Sequence, residues 1–138
     1  MTLSRGIKIN NPGDLRVGLP LFQGEISPSS DPDFRQFDTI ENGIRAVAVT
    51  LMTYFNKHGL KTLREMANRY APPSENDTGL YCSVLSERTG YDEDSVMDFP
   101  ADLLPVTKAF IVAEQGENVH QITDEQFQKG VNSALGII

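Results

Sequence analysis

Apolar residues that recur every three or four positions, interrupted by glycine and proline, constrain the fold of this chain more than any other feature. The first such run is Ile40, Ile44, Val47, Ala48, Leu51, Met52 and Phe55. Because an α-helix has 3.6 residues per turn, this spacing places all of these side chains on one face. Glycine favours the left-handed conformation that ends helices. The pattern therefore predicts an amphipathic helix from about residue 39 to Gly59.

Four further helices are predicted by the same periodicity together with capping signals. Thr62 and Thr123 each begin a capping box, in which a Thr hydroxyl and a Glu or Gln side chain three residues later satisfy free backbone N–H groups. Proline or glycine follows each apolar run and marks its end. The expected helices cover residues 62–71, 77–89, 101–115 and 123–135.

Residues 1–38 differ in composition, being rich in Gly, Pro, Asn, Asp and Ser, which are typical of turns. Two short strand candidates, residues 19–24 and 34–37, predict a small β-hairpin there. A length of 138 residues suits one domain. We therefore expect residues 1–138 to form a single, mostly α, α+β domain, with a turn-rich β region over 1–38 and about five helices over 39–138.

Charge and hydropathy exclude several classes of protein. The formal net charge is −7, which disfavours binding to the phosphates of nucleic acid. The apolar runs fall well short of the roughly 20 residues that span a bilayer, so membrane insertion is not expected. The first residues contain no hydrophobic stretch of the kind found in signal peptides. We expect synthesis in the cytoplasm without a signal peptide, with delivery elsewhere depending on another agent.

The chain has few residues of the types that bind metals and cofactors. Cys82 is the only cysteine, and His58 and His120 are the only histidines. Neither histidine has a cysteine or carboxylate at ligand spacing. There is also no glycine-rich phosphate loop and no Gly-x-Ser-x-Gly nucleophile motif. We expect neither a metal nor another cofactor, and we expect Cys82 to be a small buried apolar side chain.

The predicted fourth helix carries the first candidate for chemistry. Leu103, Val106 and Phe110 form an apolar stripe, and the stripe continues onto Glu114 near the helix end. Burial and the negative end of the helix dipole both disfavour an ionised carboxylate, so both should raise its pKa. A protonated carboxylic acid beside a cleft is what cleavage of a glycosidic bond requires. The alternative is that Glu114 extends into solvent at a frayed helix end.

Two polar segments could bind a ligand. In the loop after the proline pair, Glu75, Asn76 and Thr78 precede Tyr81, whose hydroxyl could reach a cleft and hydrogen-bond a sugar or peptide. The alternative for this loop is that Asp77 or Thr78 only caps the next helix. The second segment, Asn-Asn-Pro-Gly-Asp at residues 10–14, taken alone indicates a turn.

Taken together, these segments resemble a family of small phage and prophage virion proteins. The resemblance covers almost the whole chain, and it is carried by residues 5–15, 22–24, 34–37, 43–46 and 71–81. The segment Ala-Pro-Pro-Ser-Glu-Asn-Asp-Thr-Gly-Leu-Tyr at 71–81 is its most specific part. One departure is Phe22, at a position where the family commonly has Trp.

That family in turn is distantly similar to lysozyme-like muramidases, glucosaminidases and lytic transglycosylases. In those enzymes a helix ending in Ala-x-x-x-x-Glu-x-Gly comes first, whereas here the matching residues 109–116 lie near the C-terminal end. The resemblance thus implies a circularly permuted lysozyme-like domain. Permutation is physically reasonable because the termini of domains are often close together.

The resemblance implies an activity and a set of site residues. Glu114 would be the catalytic acid, with Glu25, Asp38, Glu41 and Glu75 as weaker candidates. Tyr81, Asn76, Thr78 and Glu75 would bind substrate, and Asn11 and Asp14 would line the cleft floor. We expect the C-terminal helices to pack beside the turn at 10–13, because permutation requires that junction.

Three functions remain open at this point. The first is cleavage of the peptidoglycan glycan strand by a single Glu acid/base, as in lytic transglycosylases. The second is a non-catalytic structural component of the virion with a lysozyme-like shape, in contact with other virion proteins. The third is a module that binds glycan without cleaving it. All three imply a virion-associated protein or one delivered to the bacterial cell wall.

Overall fold

The computed structural model describes residues 3–137 and is mostly helical, with one small antiparallel hairpin. This confirms the expected mostly α, α+β class. The elements are α1 (Arg5–Lys8), β1 (Glu25–Ile26), β2 (Gln36–Phe37), α2 (Ile40–Lys57), α3 (Leu63–Tyr70), α4 (Thr78–Thr89), α5 (Leu103–Gln115), a 3-10 helix (Gly116–Gln121) and α6 (Asp124–Ala134).

The helix ends follow the capping signals of the sequence. Both capping boxes form, with Thr62 capping α3 and Thr123 capping α6. Asp77 caps α4 by accepting a hydrogen bond from Leu80 N. Gly90 follows α4 in the left-handed conformation, with φ +76°. The five predicted helices are therefore confirmed within a residue or two at their ends. The one-turn helix α1 and the 3-10 helix were not predicted.

The hairpin lies later in the chain than the sequence suggested. β1 pairs with β2 in the register Glu25↔Phe37, and the predicted strand at 19–24 is wrong. Pro20 lacks the N–H that a strand ladder needs. Residues 22–25 instead form a turn, in which Glu25 N donates to Phe22 O at 3.1 Å and Gly24 has φ +76°. Only residues 36–37 of the predicted second strand are β-strand.

The core lies around α2, which packs against α5 and α6, while α4 packs against α3 and α5. Gly130 of α6 lies so close to α2 that an added Cβ would be 2.7 Å from Ile44 Cβ. The largest fully buried side chains are Phe37, Phe110, Ile44, Leu51, Leu63, Met66, Leu85, Leu103, Ile111, Val47, Val106 and Val131. Cys82 is buried and free, as expected. Among the described residues, the helices are too short or too polar to cross a bilayer.

The end of α5 is joined to the N-terminal turn by one buried side chain. Gln115 is 6% exposed, and its Nε2 donates to Pro12 O at 2.8 Å and to Asp14 Oδ1 at 3.2 Å. Its Oε1 accepts a hydrogen bond from Ser4 Oγ. The expected packing of the C-terminal helices beside the turn at 10–13 is thus present. This contact brings residue 114 next to residue 14.

Candidate functional site

A cleft of about 460 Å³ opens where this turn meets the end of α5. Its walls come from the turn, the end of α3, the loop that follows α3, and the last turn of α5. It is lined by Asp14, Leu15, Arg16, Phe34, Tyr54, Arg69, Tyr70, Ala71, Pro72, Glu75, Asn76 and Glu114. The lining combines carboxyl, amide, phenol and guanidinium groups, which can hydrogen-bond a polar ligand.

Glu114 lies at the base of the site and is held by two neighbours. Its Oε2 accepts a hydrogen bond from Tyr81 Oη at 2.7 Å. The carboxyl group of Asp14 lies close enough to raise the pKa of Glu114. Since Glu114 is only half-buried and lines the cleft, it remains accessible to a ligand. Its hydrogen bond with Tyr81 holds the Glu114 side chain against α4, whereas the alternative had it extend into solvent at a frayed helix end.

Burial and the neighbouring Asp14 favour the protonated form of Glu114 at neutral pH. Burial raises the pKa of Glu114 to about 8, the hydrogen bond and negative charge of Asp14 add to the shift, and the Tyr81 hydroxyl opposes it. Burial also raises the pKa of Asp14, whereas hydrogen bonds with Glu114 and Gln115 lower it. Two adjacent carboxyls cannot both ionise without strong repulsion, so they share one proton.

The local fold of the turn explains why Asp14 reaches α5. Asp14 has φ +50°, a left-handed conformation that Asp tolerates better than most residues. Asn11 fixes the turn from inside: it is fully buried, and its Nδ2 donates to Leu15 O at 2.9 Å and Arg35 O at 2.8 Å. Asn11 therefore supports the turn and does not line the cleft floor, because its amide is already used by backbone groups.

Gly13 allows the turn to approach the helices closely. An added Cβ there would lie 2.3 Å from Val47 Cγ2 and 2.5 Å from Tyr70 Oη. Tyr70 Oη donates to Gly13 O at 2.6 Å and so ties the end of α3 to the turn. A side chain larger than hydrogen at Gly13 would push the turn, and with it Asp14, away from α5.

Aromatic rings form the wall behind Glu114. Tyr70 packs against Phe110 with ring centroids 5.0 Å apart and against Tyr81 at 6.5 Å, and Tyr54 meets Tyr70 edge-on at 6.5 Å. Burial holds the pKa of Tyr70 and of Tyr81 well above the ordinary value, so both hydroxyls remain donors. This wall removes water from one side of the Glu114 carboxyl, which is the physical cause of its raised pKa.

The loop after α3 supplies the outer edge of the cleft. Glu75 and Asn76 are exposed and line it, and Asn76 Nδ2 donates to Pro72 O at 3.3 Å. Thr78 is buried instead, and its Oγ1 donates to Ala71 O at 2.6 Å. Thr78 therefore closes the base of the loop and does not face the cleft.

The site thus gathers most, but not all, of the residues selected from the sequence. Asp14, Glu75, Asn76 and Glu114 line one cleft, and Tyr81 contacts Glu114. Three weaker candidates for the acid have other contacts or positions. Glu25 is paired with Arg35, Asp38 accepts a hydrogen bond from Asn42, and Glu41 lies in the first turn of α2.

Sequence reasoning missed Tyr54, Tyr70, Arg16 and Arg69, which also line the cleft. Tyr70 directly precedes the segment at 71–81, and this proximity was the one available signal for it. The Arg69 guanidinium lies over the Tyr54 ring at 5.4 Å, and that of Arg16 over the Phe34 ring at 5.5 Å. These pairs join residues distant in sequence.

Within residues 3–137, His, Cys, Asp and Glu form no cluster of three that could hold a metal ion.

Comparison with known proteins identifies a phage protein. No family model matches the chain. Among curated proteins, Protein P5 of Pseudoalteromonas phage PM2 is 34% identical to it over 133 residues, which cover 92% of this chain and 79% of Protein P5.

Proposed function

The chain belongs to the family of Protein P5 of Pseudoalteromonas phage PM2, and from this premise we propose that it is a virion-associated protein that cleaves the glycan strand of peptidoglycan. The observation that carries the proposal is the position of Glu114, which lines an open cleft and accepts a hydrogen bond from Tyr81 Oη at 2.7 Å. A phage must breach the cell wall of its host, and membership in a phage protein family is consistent with that role. The domain would have the lysozyme-like architecture in permuted order.

In the proposed reaction Glu114 acts first as an acid and then as a base. Its proton passes to the glycosidic oxygen as the bond between that oxygen and C1 breaks, and positive charge develops on the sugar ring. The Glu114 carboxylate then removes the proton of the same sugar's 6-hydroxyl, whose oxygen closes onto C1. The products are a shortened strand with an anhydro end and a free hydroxyl on the leaving sugar.

The position of Asp14 favours this route over hydrolysis. Glycoside hydrolases separate their two carboxyls by roughly 5 to 9.5 Å, so that the sugar or a water fits between them. Asp14 lies beside Glu114, where each carboxyl perturbs the pKa of the other, so we infer that the two act as one unit and not from opposite faces of the sugar. Asp14 is therefore assigned as a positioning residue that keeps the proton on Glu114. Tyr81 orients the acid, and Asn76 and Glu75 bind sugar hydroxyls at the cleft edge.

Purified sacculi provide the direct test. Glu114→Gln retains the size and hydrogen bonding of the protonated acid but cannot transfer a proton to the leaving oxygen, so clearance should fall by at least about 100-fold. Glu117→Gln is the matched control, because Glu117 is an exposed residue of the adjacent 3-10 helix and should retain the wild-type rate. Mass analysis of the released fragments should show anhydro ends. Clearance by Glu114→Gln at the wild-type rate would refute the catalytic assignment.

A second candidate is a non-catalytic structural component of the virion, in contact with other virion proteins. It is favoured by the self-contained hydrogen bonding of the acid, since Tyr81 and Asp14 already satisfy Glu114 without a ligand. Wild-type protein that neither clears nor binds sacculi would refute the catalytic proposal and favour this alternative. Protein that is retained on sacculi in a pull-down without clearing them would be a glycan-binding module instead.

A further inference from the structure

A second groove of about 580 Å³ continues from the cleft, and Tyr54 and Arg69 line both. We call it the cationic groove, after the basic residues that line it: Arg35, Arg45, Lys57, His58 and Arg69. Among the described residues, none of those that line it is an Asp or a Glu. In a chain of net charge −7, this local excess of positive charge is unexpected from composition.

The cations of this groove come from separate elements that only the fold brings together. Arg45 and Lys57 lie on the same face of α2, because Arg45, Val49, Thr53 and Lys57 recur every four residues and all line the groove. Arg69 lies at the end of α3, and Arg35 precedes β2. The groove is thus built on two rigid helices at one end of the cleft.

Most of this positive charge is not neutralised within the protein. Arg35 pairs with Glu25, but within residues 3–137 Arg45, Lys57 and Arg69 form no ion pair. The Arg45 Nε atom is buried and, among the described residues, has no hydrogen-bond partner. A buried donor without an acceptor is costly, and an anionic ligand group would satisfy it. A carboxylate suits guanidinium groups especially well, because it can accept two parallel hydrogen bonds.

We propose that the cationic groove binds the carboxylates of the peptide stem of peptidoglycan while the adjoining cleft holds the glycan strand. This rests on the proposed function, because the cleft fixes which polymer is bound. Peptide stems branch from the glycan through a lactyl ether and carry several carboxylates. Since Tyr54 and Arg69 line both cavities, a strand seated near Glu114 directs a neighbouring stem into the groove.

The observations favour a peptide carboxylate over nucleic acid as the anion. A strongly acidic chain repels a long polyanion such as DNA, whereas a short stem carries only a few charges. The groove also presents apolar side chains, Leu21, Phe22 and Val49, beside its cations. Such a mixed surface suits a peptide with aliphatic residues and carboxylates, and it does not suit a phosphate backbone.

The test compares two soluble ligands, glycan strands with intact peptide stems and the same strands stripped of stems. Their affinities are measured by calorimetry for the double variant Arg45→Gln/Lys57→Gln. The matched control is Arg88→Gln/Lys129→Gln, which removes the same charges from exposed positions outside the groove. We expect the groove variant to bind stem-bearing strands about 5- to 30-fold more weakly and stripped strands as the wild type does. The control should bind both ligands normally.

Wild-type protein alone gives a second measurement. Its affinity for stem-bearing strands should fall more steeply with added salt than its affinity for stripped strands, because screening weakens the stem contacts. Equal affinity for both ligands, no binding of either, or tighter groove-dependent binding of duplex DNA would overturn the inference. A failure of the proposed function alone would give a different result: groove-dependent binding of stem-bearing strands would persist, but sacculi would yield no anhydro products.

Discussion

Replacement of Glu114 by Gln should stabilise the protein at neutral pH while it abolishes cleavage. The side-chain amide of Gln mimics the protonated acid, since its NH₂ can donate to Asp14 and its oxygen can accept from Tyr81. Wild-type protein holds this arrangement only while Glu114 is protonated. The variant holds it at every pH.

The magnitude follows from the raised pKa of Glu114, about 8 against an ordinary value of 4.5. Below pH 4.5 the carboxyl is protonated in both folded and unfolded protein, so its stabilising contribution is complete. As pH rises from 4.5 to about 8 the unfolded state ionises first, and wild-type stability falls by up to about 1.4 kcal/mol per pH unit. The full effect would approach about 3 kcal/mol at pH 7. Because Glu114 is partly solvated and shares its proton with Asp14, we expect about 1 to 2 kcal/mol.

Urea denaturation at pH 4.5, 6, 7 and 8.5 measures this difference. Wild type and Glu114→Gln should have similar unfolding free energies at pH 4.5, and the variant should be the more stable by about 1 to 2 kcal/mol at pH 7. Glu117→Gln, the exposed control, should follow the wild type across the series. A constant difference between wild type and Glu114→Gln at all four pH values would show that Glu114 is not held protonated by the fold.

The remaining predictions concern the partners of this acid and the helix packing beneath it. Tyr81→Phe should lower turnover by about 10- to 100-fold and stability by less than about 1.5 kcal/mol. Activity should fall at high pH as Glu114 loses its proton, and this fall should move to higher pH in the variant, because the Tyr81 hydroxyl lowers the pKa of Glu114. Unchanged turnover would remove Tyr81 from the site. Asp14→Asn should move the same fall to lower pH, because Asp14 raises the pKa of Glu114. A pH–rate profile that does not move would contradict the shared proton. Gly130→Ala should lower the unfolding free energy by about 1 to 3 kcal/mol, since the new Cβ would lie 2.7 Å from Ile44, and an unchanged melting temperature would refute the close contact.

The sequence by itself determined the helices and their ends. The signals that set them are apolar periodicity, the Thr62 and Thr123 capping boxes and the glycine after α4. Each signal acts within a few residues along the chain, so its effect can be predicted without the tertiary structure. The sequence also singled out Glu114, because a carboxylate at an apolar position of a helix is a local anomaly. The hairpin was misplaced because short strands depend on pairing partners, and Pro20 and the turn at 22–25 moved the pairing to β1.

Only the tertiary structure decided what surrounds Glu114. The contact with Asp14 joins residues 100 positions apart, and it exists because Gln115 fastens the end of α5 to the turn. The cationic groove likewise combines charges from α2, α3 and the hairpin region, none of which forms a basic run in the sequence. Proton sharing and charge clustering depend on distances of a few ångströms between separate elements. Tertiary packing sets those distances, so no local sequence pattern predicts them.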